Sequence, residues 1–140
     1  MRQVPGIVIS FDTGSEVKSV RFEQLSEASS FSFADDTNLS FSATGSPVVN
    51  GNSRNVSREW MIVGYLPEAE LRTLLEIWHL YRAEEAAGKI ATVTVIDETF
   101  PHTMADPYVG AAVIDVPPGR PSPGRVGGYW IPASLTLKEV

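Results

Sequence analysis

The residues best suited to chemistry fall in one short segment: Asp97, Glu98, His102 and Asp106. Three carboxylates and an imidazole are oxygen and nitrogen donors that a divalent cation accepts, and a flexible loop can fold them around it. No pair among them has the spacing of a known metal motif, and a solvated loop following a strand is the simpler account. His79 lies between Trp78 and Leu80. A general base needs a nucleophile or a positioned carboxylate beside it. Neither is adjacent, so His79 reads as a buried or edge histidine satisfied by a backbone carbonyl. The serines between Phe31 and Thr44 lack a Gly-x-Ser-x-Gly elbow and read as the polar face of strands. Asp12-Thr13-Gly14 has the letters of the aspartic-protease triplet but sits where a strand should turn. The glycine-rich segment 117–128 contains no Gly-x-x-x-x-Gly-Lys and runs into a strand instead of a helix, so it is not expected to cradle phosphate. No catalytic, cofactor-binding or metal-binding residue is assigned, and the chain is expected to be non-enzymatic with no cofactor.

The elements that would position any site come next. Residues 67–87 read as the one clear helix. Pro67 suits a first helical position, and Glu68 and Glu70 favour the positive end of the helix dipole. Leu71, Leu74, Leu75, Trp78 and Tyr81 recur at helical spacing as a core stripe, widened by Ile77 and Leu80. Gly88 fits the left-handed residue that ends a helix. So apolar a helix is expected in a groove between sheets.

Strands surround it in sequence. Residues 4–11 and 17–22 read as a hairpin around the Asp12 to Ser15 turn. Phe31 and Phe33 alternate with Ser30 and Ser32, and Leu39 and Phe41 with Ser40 and Ser42, which suggests a second hairpin. Residues 56–65 form a strand apolar on both sides near its end, hence central. Residues 91–97, 108–116 and 129–140 complete the set. Segment 117–128 holds four prolines, four glycines and two arginines, so it is expected to leave the sheet as a protruding, mobile loop. The expected fold is mainly β: a β-sandwich or partly closed barrel of about seven to nine strands with one helix packed against it.

Composition bounds the partners. The 140 residues suit one domain, 1–140, with one core. Net charge is −6 and the sequence pI about 4.8, against the basic patch of a dedicated nucleic-acid binder. Cysteine is absent, so disulfides and thiolate metal sites are excluded. No apolar run approaches the roughly 18 residues of a membrane span, and no signal peptide is evident.

One resemblance emerges from the order of parts. Arg58-Glu59-Trp60 leads through Ile62 and Gly64-Tyr65 into Leu66-Pro67-Glu68-Ala69-Glu70-Leu71. Leu74-Leu75, Trp78 and Tyr81 follow, then Val93-Thr94-Val95-Ile96-Asp97, a loop, and a terminal Tyr129-Trp130-Ile131-Pro132-Ala133-Ser134-Leu135-Thr136-Leu137-Lys138-Glu139-Val140. From Val56 onward this resembles the small tail and baseplate proteins of tailed bacteriophages (tube, distal-tail and minor tail types). The resemblance implies a β-sandwich or barrel with one helix on its side. It also implies a homo-oligomeric ring with further tail proteins as partners, made in the host cytoplasm and placed in the virion. It brings no catalytic residues. Within that reading, Arg120, Pro121, Pro123 and Arg125 are the candidate interface loop, since such loops order on contact, and the terminal strands are expected as edges that a neighbour covers. A ligand- or carbohydrate-binding β-sandwich, with Trp60, Tyr108, Tyr129 and Trp130 as stacking platforms, is the alternative. A metal-dependent enzyme built on the Asp97 to Asp106 cluster is a third.

Overall fold

Ile7, Ile9 and Phe11 are buried while Val8, Ser10 and Asp12 face outward, the period of two that defines a strand with one dry face. The computed structural model describes residues 5–35, 38–41, 47–50, 56–99 and 108–140, with the backbone alone for 34–35, 38–41, 47–50 and 56–57. The strands are β1 (Ile7–Asp12), β2 (Val17–Phe22), β3 (Gln24–Leu25), β4 (Ser30–Asp35), β5 (Asn38–Phe41), β6 (Pro47–Asn50) and β7 (Val56–Leu66). Helix α1 (Glu68–Ala86) follows, then β8 (Val93–Asp97), β9 (Tyr108–Gly119) and β10 (Ile131–Glu139).

Eight strands form one antiparallel sheet in the order β2-β1-β8-β9-β10-β7-β3, with β4 also pairing with β7; β5 and β6 pair with each other. The sheet curls into a half-barrel. Glu23 alone separates β2, at one edge, from β3, which pairs with β7 at the other. The chain therefore bends across the mouth of the curl. Gly64 stands at that crossing, where a Cβ would lie 2.6 Å from the Gln24 carbonyl oxygen and 3.2 Å from the Phe22 ring. A residue without a side chain lets the two backbones meet.

The concave face is the core. Phe22, Trp60, Ile62, Leu135 and Leu137 are almost fully buried there, and α1 adds Leu71, Leu74, Ile77 and Tyr81. At roughly 1.5–3 kcal/mol each, those four helix side chains supply on the order of 10 kcal/mol of gross driving force. Trp78 is half-buried and stacks on Tyr81 with ring centroids 5.8 Å apart. The helix ends as its glycine suggested. Gly88 has φ +81, its N–H donates to the Glu85 carbonyl, and Lys89 N–H donates to that of Glu84, the pair of bonds of a Schellman motif. Pro67 is the extended N-cap, one position before the helical residue it was expected to be.

Several expectations are corrected. The helix covers one curled sheet and keeps a wet side, so it does not fill a groove between sheets. Leu75 is 39% exposed and Leu80 36%, while Ile77 is fully buried. Successive helical residues turn by about 100°, so Leu75 lies at the rim of the arc centred on Leu74 and Ile77. Strand β7 has neighbours on both edges but only one dry face, since Met61 is 50% exposed. Strand β4 pairs with β7 and β5 with β6, so the expected hairpin between the two serine-rich runs does not form. The terminal strands β1 and β10 are interior to the sheet, not edges awaiting a neighbour. Strand β9 runs through Pro117 and Pro118 to Gly119, three residues into the segment expected to leave the sheet. Register shifts opposite Ser134 to Leu137 give β9 extra residues there, and a bulge tolerates proline because its missing N–H is not needed in the ladder.

Candidate functional site

The loop singled out by sequence begins where β9 ends. Residues 120–129 are all exposed. Gly127 and Gly128 have φ +62 and +73, and this left-handed pair reverses the chain. Val126 and Trp130 then exchange backbone hydrogen bonds of 2.9 and 3.1 Å. Earlier in the loop, Arg120 Nη2 donates to the Pro123 carbonyl at 2.8 Å. The loop folds beside the outer face of the sheet and leaves a cleft of about 290 Å³. Val63, Tyr65 and Pro132 line its sheet side; Pro121, Arg125 and Val126 line its loop side. Pro123 is exposed beside it. Neither Arg120 nor Arg125 forms an ion pair among the described residues.

A second cluster, which no motif in the sequence announces, lies on the concave side. Strands β7, β8, β9 and β10 bring Arg58, Trp60, Asp97, Tyr108 and Glu139 together. Arg58 Nη1 pairs with Glu139 Oε2 at 2.9 Å, and its guanidinium lies 4.5 Å from the Tyr108 ring centroid. Tyr108 donates its hydroxyl to the same Glu139 oxygen, and the Arg58 backbone N–H donates to Oε1 at 3.2 Å. Burial, then this hydrogen bond and the neighbouring carboxylate charge, push the Tyr108 hydroxyl up to about 12. Burial works to raise the Glu139 carboxyl, but the donors from Tyr108 and Arg58 outweigh it and hold the group below its ordinary value. Beside them, Trp60 Nε1 donates to Asp97 Oδ2 at 3.0 Å, and the Trp60 and Tyr108 rings lie 5.3 Å apart. Apart from Arg58 and Trp60, these groups come from positions 97, 108 and 139, too far apart in the chain for any local spacing to join them. The available signal was the period of two, which puts Arg58 on the same face as the core residue Trp60.

The candidate metal residues divide. Asp97 points inward, 1% exposed, and also accepts from Thr99 N and Oγ1. Glu98 turns away to the Arg21 guanidinium and to Gly6 N–H. Its carboxyl is lowered chiefly by the hydrogen bond from Arg21. His102 and Asp106 lie outside the described residues. Among the described residues no three His, Asp or Glu side chains are placed to hold a metal. His79 is exposed on α1, so of the buried or edge positions expected for it the buried one is excluded. Asp12 accepts a hydrogen bond from Gly14 N–H at 2.8 Å, which makes it the turn residue that the sequence suggested.

The stacking platform of the alternative reading loses its first member, since Trp60 is 1% exposed and part of the core. Tyr129 and Trp130 make an edge-to-face pair with centroids 5.0 Å apart at the loop base.

Neither a protein-family model nor a curated protein sequence matches the chain.

Proposed function

We propose that the chain is a non-enzymatic structural subunit of a phage tail or baseplate, assembling into a ring with copies of itself and neighbouring tail proteins. The observation that carries this reading is the outer face of the half-barrel together with its loop. Met61, Val109 and Val116 on strands, and Val126 and Tyr129 on the loop, are each half or more exposed. A surface of this kind favours a protein neighbour over water. The inner face supports the same reading in a different way. Its groups Asp97, Tyr108 and Glu139 and the Nη1 of Arg58 are bonded to one another or to Trp60 and Thr99, although Arg58 Nε is buried without a hydrogen-bond partner. The net charge of −6 suits protein partners and not nucleic acid. Among the described residues no helix is long and apolar enough to cross a membrane. On this reading the protein is made in the host cytoplasm and resides in the virion.

Light scattering coupled to size-exclusion chromatography, with electron microscopy of a lysate, tests the proposal. Concentration-dependent rings, and the protein in purified virions, are expected. A strict monomer at high concentration that is absent from virions overturns it.

A further inference from the structure

The end of the half-barrel at which the chain crosses from β2 to β3 holds a hollow of about 250 Å³. Its walls come from separate stretches of chain: Arg21 and Glu23 beside the crossing, Tyr65 at the end of β7, Pro67 and Glu70 at the start of α1, and Trp130 just before β10. The ladder brings them together. Tyr65 stands opposite Gln24 on one side and Pro132 on the other, so Glu23 and Trp130 follow from its two neighbours. Tyr65, Glu70 and Trp130 are each half-buried.

These side chains differ in what they have left to bind. Arg21 is committed, since it pairs with Glu23 at 2.9 Å and with Glu98. The Glu70 carboxylate forms no ion pair among the described residues, and the Tyr65 hydroxyl and the Trp130 indole N–H form no hydrogen bond among them. An anion is disfavoured, because the one guanidinium is already held by two carboxylates and Glu70 repels negative charge. An ammonium pairs with Glu70 but carries donors alone, so it leaves the indole N–H without an acceptor. It would also share the hollow with the Arg21 charge. A neutral molecule rich in hydroxyls meets every group, giving donors to Glu70 and acceptors to the indole and the phenol. Two aromatic rings also call for an apolar C–H face to lie against them. A pyranose has such a face, with its hydroxyls around the rim. The volume suits one small ring, being below the roughly 300 Å³ at which drug-sized sites begin.

We propose that this hollow is a binding site for a neutral pyranose unit of a glycan, which stacks on Trp130 and hydrogen-bonds to Glu70 and Tyr65. The site lies within one copy and does not depend on the assembly reading above.

Saturation-transfer NMR on the full chain tests it, with the methyl glycosides of glucose, galactose, mannose and N-acetylglucosamine as probes and methylammonium chloride as the competing one. Transfer to the ring C–H protons of at least one glycoside is expected. Binding of that glycoside should weaken at least about ten-fold in Trp130→Ala and in Glu70→Ala, with circular dichroism confirming that each variant is folded. Glu70→Gln keeps an acceptor oxygen and should bind better than Glu70→Ala. Should Trp130→Ala not fold, the pair of Glu70 variants decides alone, since Glu70 is outside the core. The proposal is overturned if no glycoside receives transfer, if methylammonium binds and the glycosides do not, or if a glycoside binds the folded variants as tightly as the wild type.

Discussion

The indole N–H of Trp60 donates to Asp97 Oδ2 at 3.0 Å, and both side chains are 1% exposed. The bond joins β7 to β8, which have β9 and β10 between them in the sheet, so it is a chord across the curl. Such a buried donor and acceptor depend on each other, since a group stripped of its partner keeps its full desolvation penalty. Trp60→Phe removes the donor and keeps an aromatic ring. It should destabilise the fold by about 1–3 kcal/mol in urea unfolding. Asp97→Leu also releases Thr99 N–H and Oγ1, so alone it should cost more than Trp60→Phe, and the double variant should lose less than the sum of the two because they share one bond. Strictly additive losses would deny the pairing its role.

The helix supplies a contrast between sequence pattern and packing. Ile77→Ala empties a fully buried position and should cost about 2–5 kcal/mol. Leu75→Ala, at a position 39% exposed, should cost less than about 1 kcal/mol. Chemical denaturation of the two variants decides between a helix buried along Leu74 and Ile77 and a stripe centred on Leu75.

Gly64 marks the point where β3 meets β7. Gly64→Ala places a methyl group 2.6 Å from a backbone carbonyl oxygen, which must shift to admit it. A loss of about 1–3 kcal/mol is expected, with a larger fall in amide protection at Gln24 and Leu25 than at β9. Wild-type stability in this variant would mean that the crossing is loose enough to take a methyl group.

Stability should fall at both ends of the pH scale. The Glu98 and Glu139 carboxyls are lower in the folded chain than in the unfolded one. Their contribution is therefore present above the ordinary carboxylate value near 4.5 and is lost as pH falls through their folded values. Tyr108 is raised from 10.0 to about 12, so its contribution is present below pH 10 and is lost between 10 and about 12. Thermal melts across pH should show the acid loss reduced in Glu139→Gln and the alkaline loss reduced in Tyr108→Phe. Unchanged profiles in both variants would remove these groups from the titration.

Much of the fold is legible in local pattern. Alternation at Ile7 to Phe11 and at Leu135 to Leu137, the helix from Glu68 and the glycine at 88 each express a rule acting over a few residues: pleat, helical turn or a left-handed cap. Where the rule is local, pattern and structure agree. They part where the answer depends on what lies opposite. Two serine-rich runs that alternate alike cannot disclose that one pairs with β7 and the other with β6, because strand partners are chosen across the sheet. Prolines 117 and 118 forbid a ladder donor but not a bulge, and only the register with β10 distinguishes the two.

The sequence by itself determined the one helix and most of the strands, though not β3, β6 or the end of β9, together with the excess of negative charge and a proline-glycine loop carrying two arginines. Those properties live in the chain's covalent order and in interactions a few residues long. The tertiary structure decided that the ends of the chain are sheet interior, that Ile77 and not Leu75 is buried, and that Arg58, Trp60, Asp97, Tyr108 and Glu139 meet. Those outcomes depend on strand order and on the curl of the sheet, which bring together residues far apart in the chain, as where the backbones at Gly64 and Gln24 meet.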